Sequence, residues 1–227
     1  MLSNHPKFFI TATDTEVGKT TVTMSLLKAF QAQNRAANGL KWLATDGQIT
    51  DQGLQNDDAL ALASQSTDKL TYRQTNPFCY PKPIAPHLAA KHTGQQITIE
   101  QLNQPFFSPY PKAYYLIEGI GGLLVPLNNQ HTLLDWLVQL SCPVITVVGI
   151  KLGCLNHALM TDRCLEQAGI KQRYWIANIL DPSAAYIDEQ IETLKVHCSA
   201  SYLATLPYKS KHLVNFNDDF WQKLPPL

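Results

Sequence analysis

Residues 7–30 read K-F-F-I-T-A-T-D-T-E-V-G-K-T-T-V-T-M-S-L-L-K-A-F. The apolar run Phe8 to Thr13 predicts a buried strand, and Thr20 to Gln33 predicts a helix. A loop that leaves a strand and opens a helix turns free backbone N–H groups, and the positive end of the helix dipole, toward any ligand above it. Gly18-Lys19-Thr20 closes that loop as a phosphate cradle would. Lys19 would reach the β/γ-phosphates of a nucleotide, and the Thr20 hydroxyl would sit on Mg²⁺. The full pattern G-x-x-x-x-G-K-[ST] also needs a glycine at its head, where this chain has Thr13 preceded by Ala12. The plain alternative is a strand, a turn and a helix that happens to start with lysine. A cation in the first turn opposes the helix dipole unless an anion faces it, which favours phosphate.

Outward from this stretch, short apolar runs alternate with helical patterns. Strands are expected at Asn38–Ala44, Ala113–Ile117, Pro143–Val148, Tyr174–Asn178 and Ser201–Leu206. Helices are expected at Asp57–Gln65, Thr132–Gln139, Asn156–Ala168 and Ala184–Val196, with Asn156 as a cap and Gly169 as a stop. Residues 72–88 carry Pro77, Pro81, Pro83 and Pro86 and predict a loop that could line a site. Phe220, Trp221 and Leu224 fall at helical spacing and predict core packing. The alternation points to an α/β fold: one domain over residues 1–227, a doubly wound, mostly parallel sheet of P-loop NTPase type. Ligands of such sheets bind at the carboxyl ends of the strands.

Composition narrows the function. Lys plus Arg equals Asp plus Glu at 18 each, so neither nucleic acid nor an anionic membrane is an expected partner. No apolar stretch approaches the roughly 20 residues of a membrane span. Residues 1–7 show no secretory pattern. The five cysteines are odd in number and form no Cys-x-x-Cys pair, which predicts free thiols and a cytoplasmic protein.

A second constellation is I-E-G-I-G-G at 117–122. It ends a buried strand in Glu118, and an acid there is costly unless it meets a cation. Beside a phosphate loop that cation would be Mg²⁺. Gly119 and Gly121 would let the backbone approach a ligand closely.

These residues resemble the dethiobiotin synthetase family, the ATP-dependent carboxylases of biotin synthesis. The resemblance rests on T-D-T-E-V-G-K-T at 13–20, N-D-D-A-L-A-L at 56–62 and the glycine-rich stretch just quoted. It continues in V-V-G-I-K-L-G-C-L-N-H-A at 147–158, W-I-A-N at 175–178 and L-P-Y at 206–208. The resemblance implies CO₂ joined to 7,8-diaminopelargonic acid with ATP and Mg²⁺. It implies that Lys19 and the N–H groups of Glu16, Val17, Gly18 and Thr20 hold the phosphates, with Thr21 beside them. Thr20, Asp58 and Glu118 would bind Mg²⁺, while Asp57 would start a helix. Lys41 would stabilise the carbamate and the transferring phosphoryl group. Thr15 and Thr45 would touch substrate. Asn178, Leu206, Pro207 and Tyr208 would form the purine pocket. Gly153, Cys154, Leu155 and Asn156 would receive the substrate carboxylate across the interface of a homodimer, with Cys154 lining that site.

The chain departs from the family pattern at Ala12, where glycine is usual, and at Trp42, where proline usually follows the lysine. One residue is inserted before Gly47, and Lys211 stands near a position that is often acidic. Without its proline, Lys41 would have a freer backbone. Two other readings are a nucleotide-dependent switch ATPase and a paralogue that binds nucleotide without turnover. Switch proteins carry a second lysine in the phosphate loop, where this chain has Thr15-Glu16. His87 and His157 are expected to cap or pack.

Overall fold

The computed structural model describes residues 6–104, 112–210, 218–222 and 224. Strand β1 (Lys7–Ala12) is buried along its whole length. Its side chains alternate between the two faces of the sheet, so Phe8 and Phe9 enter different cores. Each buried phenylalanine contributes about 1.5–3 kcal/mol. Helix α1 (Lys19–Ala32) returns over one face and packs Val22, Leu26 and Phe30 onto it.

The run expected as one strand over 38–44 divides in two. β2 (Ala37–Lys41) joins the main sheet, whereas β3 (Leu43–Ala44) leaves it. A hairpin of β4 (Gln48–Thr50) and β5 (Gly53–Gln55) follows, then α2 (Asp57–Gln65). The proline-rich stretch is more ordered than a loop. It holds α3 (Tyr72–Thr75), β6 (Phe78–Cys79), which pairs with β3, and the start of α4 (Pro86–His92). Helix α5 (Ile99–Leu102) precedes β7 (Tyr114–Glu118). The remaining elements are α6 (Leu133–Leu140), β8 (Val144–Ile150), α7 (Cys154–Gln167), β9 (Arg173–Ile179), α8 (Ile187–His197), β10 (Ser201–Leu206) and α9 (Asp218–Gln222). Helix α7 starts earlier than expected. Gly153, in the left-handed region, precedes its first turn, and Asn156 lies inside it.

The main sheet is parallel throughout, in the order β10-β9-β8-β1-β7-β2. The chain runs from central β1 to edge β2, returns to β7, then crosses to β8 on the other side of β1. That reversal opens a crevice at the carboxyl end of β1, between the loops after β1, β7 and β8. One core holds Phe9, Trp42, Tyr115 and Trp136 under α5 and α6. The other holds Phe8, Phe30 and Phe220, with Trp221 and Leu224 packed against it, as their spacing predicted. Ala12 is an ordinary buried strand residue in register with Val147, so its methyl group meets no turn that needs glycine. Among the described residues no helix is long and apolar enough to cross a membrane. Lys211 lies outside the described residues.

Candidate active site

The loop after β1 turns through two left-handed residues, Glu16 (φ 56°) and Gly18 (φ 84°). Gly18 is required there twice over: its φ suits glycine, and a Cβ would strike the amide of Asn178. Asn178, at the end of β9, donates from Nδ2 to the Val17 carbonyl at 2.8 Å. Its amide therefore braces the loop from beneath. Among the described residues no protein acceptor meets the N–H groups of Gly18, Lys19 or Thr20, the orphan donors of α1. Lys19 folds back so that Nζ donates to the Asp14 carbonyl at 3.3 Å. Burial, reinforced by the nearby charge of Lys41, lowers its ammonium pKa to about 8.

Lys41 and Glu118 are in register at the ends of neighbouring strands β2 and β7. Lys41 Nζ lies 2.6 Å from Glu118 Oε1 and 2.9 Å from Asp58 Oδ2. Thr20 Oγ1 donates to the same Glu118 oxygen at 2.9 Å. Burial opposes the charge on Lys41, but its two carboxylate partners outweigh burial and raise its pKa above the ordinary lysine value. Burial likewise works against Asp58, and the Lys41 charge prevails and holds its carboxyl below the usual range. Asp58 reaches this cluster because Asn56 caps α2, its Oδ1 accepting from the Ala59 N–H at 3.2 Å, while Asp57 starts the helix as expected.

One polar cleft of about 380 Å³ gathers most of the expected residues. Thr15, Glu16, Gly18, Lys19, Thr20 and Thr21 line it from the loop and α1. Lys41, Thr45, Asp58, Glu118 and Gly121 line it from the opposite wall. Asn56 and Ile120 line it too, and the sequence reading missed both; each stands inside a quoted motif, next to a residue with more obvious chemistry.

Other expected residues lie elsewhere. Val17 is buried and serves the loop through its carbonyl. Gly119 is small for packing rather than for a ligand, because a Cβ there would meet the Phe9 ring at 2.9 Å. Leu206 is a core residue, whereas Pro207 and Tyr208 are exposed. Gly153, Leu155 and Asn156 sit at the start of α7, outside the cleft. Cys154 lies outside the cleft too. Its side chain is buried beside Val148 and Ile150, and its Sγ lies 3.1 Å from Gln190 Oε1. His157 lines a separate groove, while His87 Nδ1 is buried without a hydrogen-bond partner among the described residues.

Trp42 compensates for the missing proline. Its buried indole donates from Nε1 to the Leu102 carbonyl at 3.0 Å. It stacks on Trp136 with ring centroids 6.4 Å apart. Asn76 Nδ2 donates to the Lys41 carbonyl at 2.6 Å. The backbone that carries Lys41 is thus held from two sides.

The cluster fits a small hard cation. Glu118 Oε2 is buried and has no hydrogen-bond partner among the described residues. Thr20, Asp58 and Glu118 present only oxygen donors, and two carboxylates with a hydroxyl suit Mg²⁺, which keeps waters and phosphate oxygens in its shell.

The chain matches the family model described as an AAA domain over residues 6–213. It is 42% identical over 205 residues to the ATP-dependent dethiobiotin synthetase BioD of Yersinia pestis bv. Antiqua (strain Angola), covering 90% of this chain and 85% of that one. It is 39% identical over 222 residues to the protein of the same name from Pseudescherichia vulneris, covering 97% of this chain and 92% of that one. Chloroplast FtsY from Physcomitrella patens shares the fold, with a TM-score of 0.53 at 14% identity over 94% of this chain and 62% of that one. At 42% identity across nine-tenths of its length, the chain belongs to the family of ATP-dependent dethiobiotin synthetases.

Proposed function

We propose that the cleft between Lys19 and Lys41 carries out dethiobiotin formation from 7,8-diaminopelargonic acid, CO₂ and ATP, with the whole chain acting as one cytoplasmic catalytic domain. The observation that carries the assignment is the pair of buried Lys41 and Glu118, joined by the half-exposed Asp58 and Thr20, beside a loop whose N–H donors are unmet among the described residues.

An amine of the substrate adds to CO₂ and loses a proton, giving a carbamate. A carbamate oxygen attacks the γ-phosphorus and displaces ADP, giving a carbamic–phosphoric anhydride. The second amine attacks the carbonyl carbon, expels phosphate and closes the ureido ring. Lys41 is held protonated by its carboxylate partners, so it acts as a fixed charge and not as a base. It stabilises the anionic carbamate and the transferring phosphoryl group. Lys19 and the N–H groups of Gly18 to Thr20 hold the β- and γ-phosphates. Thr20, Asp58 and Glu118 hold Mg²⁺, which when bound supplies positive charge to the phosphate oxygens. Thr15 and Thr45 orient the diamine. Pro207 and Tyr208 take the purine, with Asn178 and Leu206 supporting that wall from below.

The active species is a homodimer in this reading. A largely apolar groove of about 400 Å³ adjoins the phosphate loop, lined by Thr13, Asp14, Leu124, His157 and Met160 among others. Leu124 and Met160 are more than half exposed there, and Leu152, next in sequence to the Lys151 that pairs with Asp14, is fully exposed. A second copy covering these residues would bring its own α7 to the neighbouring cleft. Leu155 and Asn156 N–H groups at that helix start would take the substrate carboxylate, since the Cys154 N–H already bonds the Lys151 carbonyl.

The test is ADP release with MgATP and bicarbonate, with and without 7,8-diaminopelargonic acid, with product mass read in parallel. Diamine-dependent ADP and a mass gain of one ureido carbonyl are expected. ADP release indifferent to the diamine would indicate a switch ATPase instead.

A further inference from the structure

We propose that Tyr72 is a positioning residue for the ligase reaction, its hydroxyl setting the distance between the segment that carries Lys41 and the one that carries Asp58. The inference rests on the reading of function given above.

Tyr72 opens the four-residue helix α3, whose capping box is made by Thr71 and Gln74. Its ring leaves that short helix and points back toward the start of α2. The hydroxyl accepts the Asn56 N–H at 2.7 Å and donates to Asn76 Oδ1 at 2.8 Å. The Cys79 thiol lies beside the same oxygen.

Each arm leads to a reacting group. Asn56 caps the helix on which Asp58 is the second residue, and its Nδ2 donates to the Thr45 carbonyl at 3.0 Å. Asn76 spends its amide on the Lys41 carbonyl at 2.6 Å and the Phe78 carbonyl at 3.1 Å. Asn56 and Asn76 are both buried, so these bonds are made away from competing water. One oxygen atom thereby joins the backbone of Lys41 to the backbone two residues before Asp58. Those two side chains meet at 2.9 Å, and a placement error of ~1 Å between reacting groups can cost on the order of a hundredfold in rate. Tyr72 and Asn76 are not among the residues that line the cleft, so Tyr72 acts through Lys41, Thr45 and Asp58. The phosphate loop is carried by β1 and α1, and among the described residues no hydrogen bond joins it to Tyr72, Asn56 or Asn76.

The variant Tyr72→Phe removes that oxygen and keeps the ring. In the full-length protein we expect kcat for diamine-dependent ADP release to fall about 10- to 100-fold. KM for ATP should stay within about threefold, because ground-state phosphate contacts are intact. Asn76→Asp keeps the acceptor for Tyr72 and loses the donor to Lys41, and should show the same kcat-selective loss. The double variant should be no worse than the poorer single one, since both changes break one chain of bonds. A lowered melting temperature with unchanged kcat in either folded variant, or losses that multiply in the double variant, would overturn the positioning role. Wild type run in parallel separates the two readings. Wild-type turnover with unimpaired variants overturns the positioning role alone, whereas no diamine-dependent release from wild type overturns both.

Discussion

Lys19 and Lys41 share one cleft, yet burial and partners drive them in opposite directions. Lys41 has two carboxylates within 3 Å and stays charged, while Lys19 has a carbonyl and its pKa falls to about 8. The consequence for stability has a definite sign. Because the folded value lies below the unfolded one, the unfolded chain binds more protons between about pH 8 and 10.5, so this group's contribution to stability rises with pH across that window. Bound triphosphate reverses the situation by favouring the charged ammonium. At pH 8.5 roughly three-quarters of the free protein would have lost that proton, and ATP binding should recover it. Calorimetry of ATP binding at pH 8.5 in two buffers of different ionisation enthalpy should therefore show uptake of about half a proton or more. At pH 7 this group should contribute little uptake. Equal heats in the two buffers at pH 8.5 would refute the assignment. The sequence reading assigned both lysines to one site and the fold brings both to one cleft, but sequence spacing carries no information about which carboxylates surround each. That pairing depends on β2 and β7 becoming neighbours, a contact across 77 residues of chain.

At the scale of elements, the segment after Lys41 shows how a local rule is replaced by tertiary packing. A proline in this place would fix φ by its ring. Trp42 fixes the same backbone through a buried indole, a hydrogen bond to Leu102 and stacking on Trp136. Trp42→Pro would therefore not restore anything, although it moves toward the family pattern. Losing the indole should cost about 3–5 kcal/mol. In a chain of this size that is a fall in melting temperature of roughly 10 °C, readable by circular dichroism. An unchanged or higher melting temperature would show that the indole contributes nothing to the site's rigidity. Periodicity made the long central strands and α1 legible because each buries a continuous apolar run. It failed over residues 72–88, where the proline count suggested a loop. Two signals were present in or just before that stretch: the Thr71/Gln74 capping box and Pro86 at the first turn of α4. The two-residue strands β3 and β6 are too short for any period and exist only because they pair with each other.

For the whole molecule, the phosphate loop has two exposed flanks with different character. One opens into the polar cleft, and the other into the apolar groove through Thr13 and Asp14. Asp14 is also tied to Lys151, the residue before fully exposed Leu152, by an ion pair of 3.1 Å. The start of α7 is thereby tied to the phosphate loop of the same chain, and in the proposed dimer its leading N–H groups would serve the neighbour's substrate. Light scattering should give a dimer. Met160→Asp puts a charge on a residue more than half exposed in the subunit, so folding should survive while association is lost. The resulting monomer should bind ATP within about threefold of wild type, because every phosphate donor lies in one chain. Its diamine-dependent turnover should fall by at least about tenfold, and the loss should appear mainly as a raised KM for the diamine, the substrate whose carboxylate a second subunit would hold in the proposed dimer. A fully active monomer would separate the α7 start from the reaction and confine the site to a single cleft.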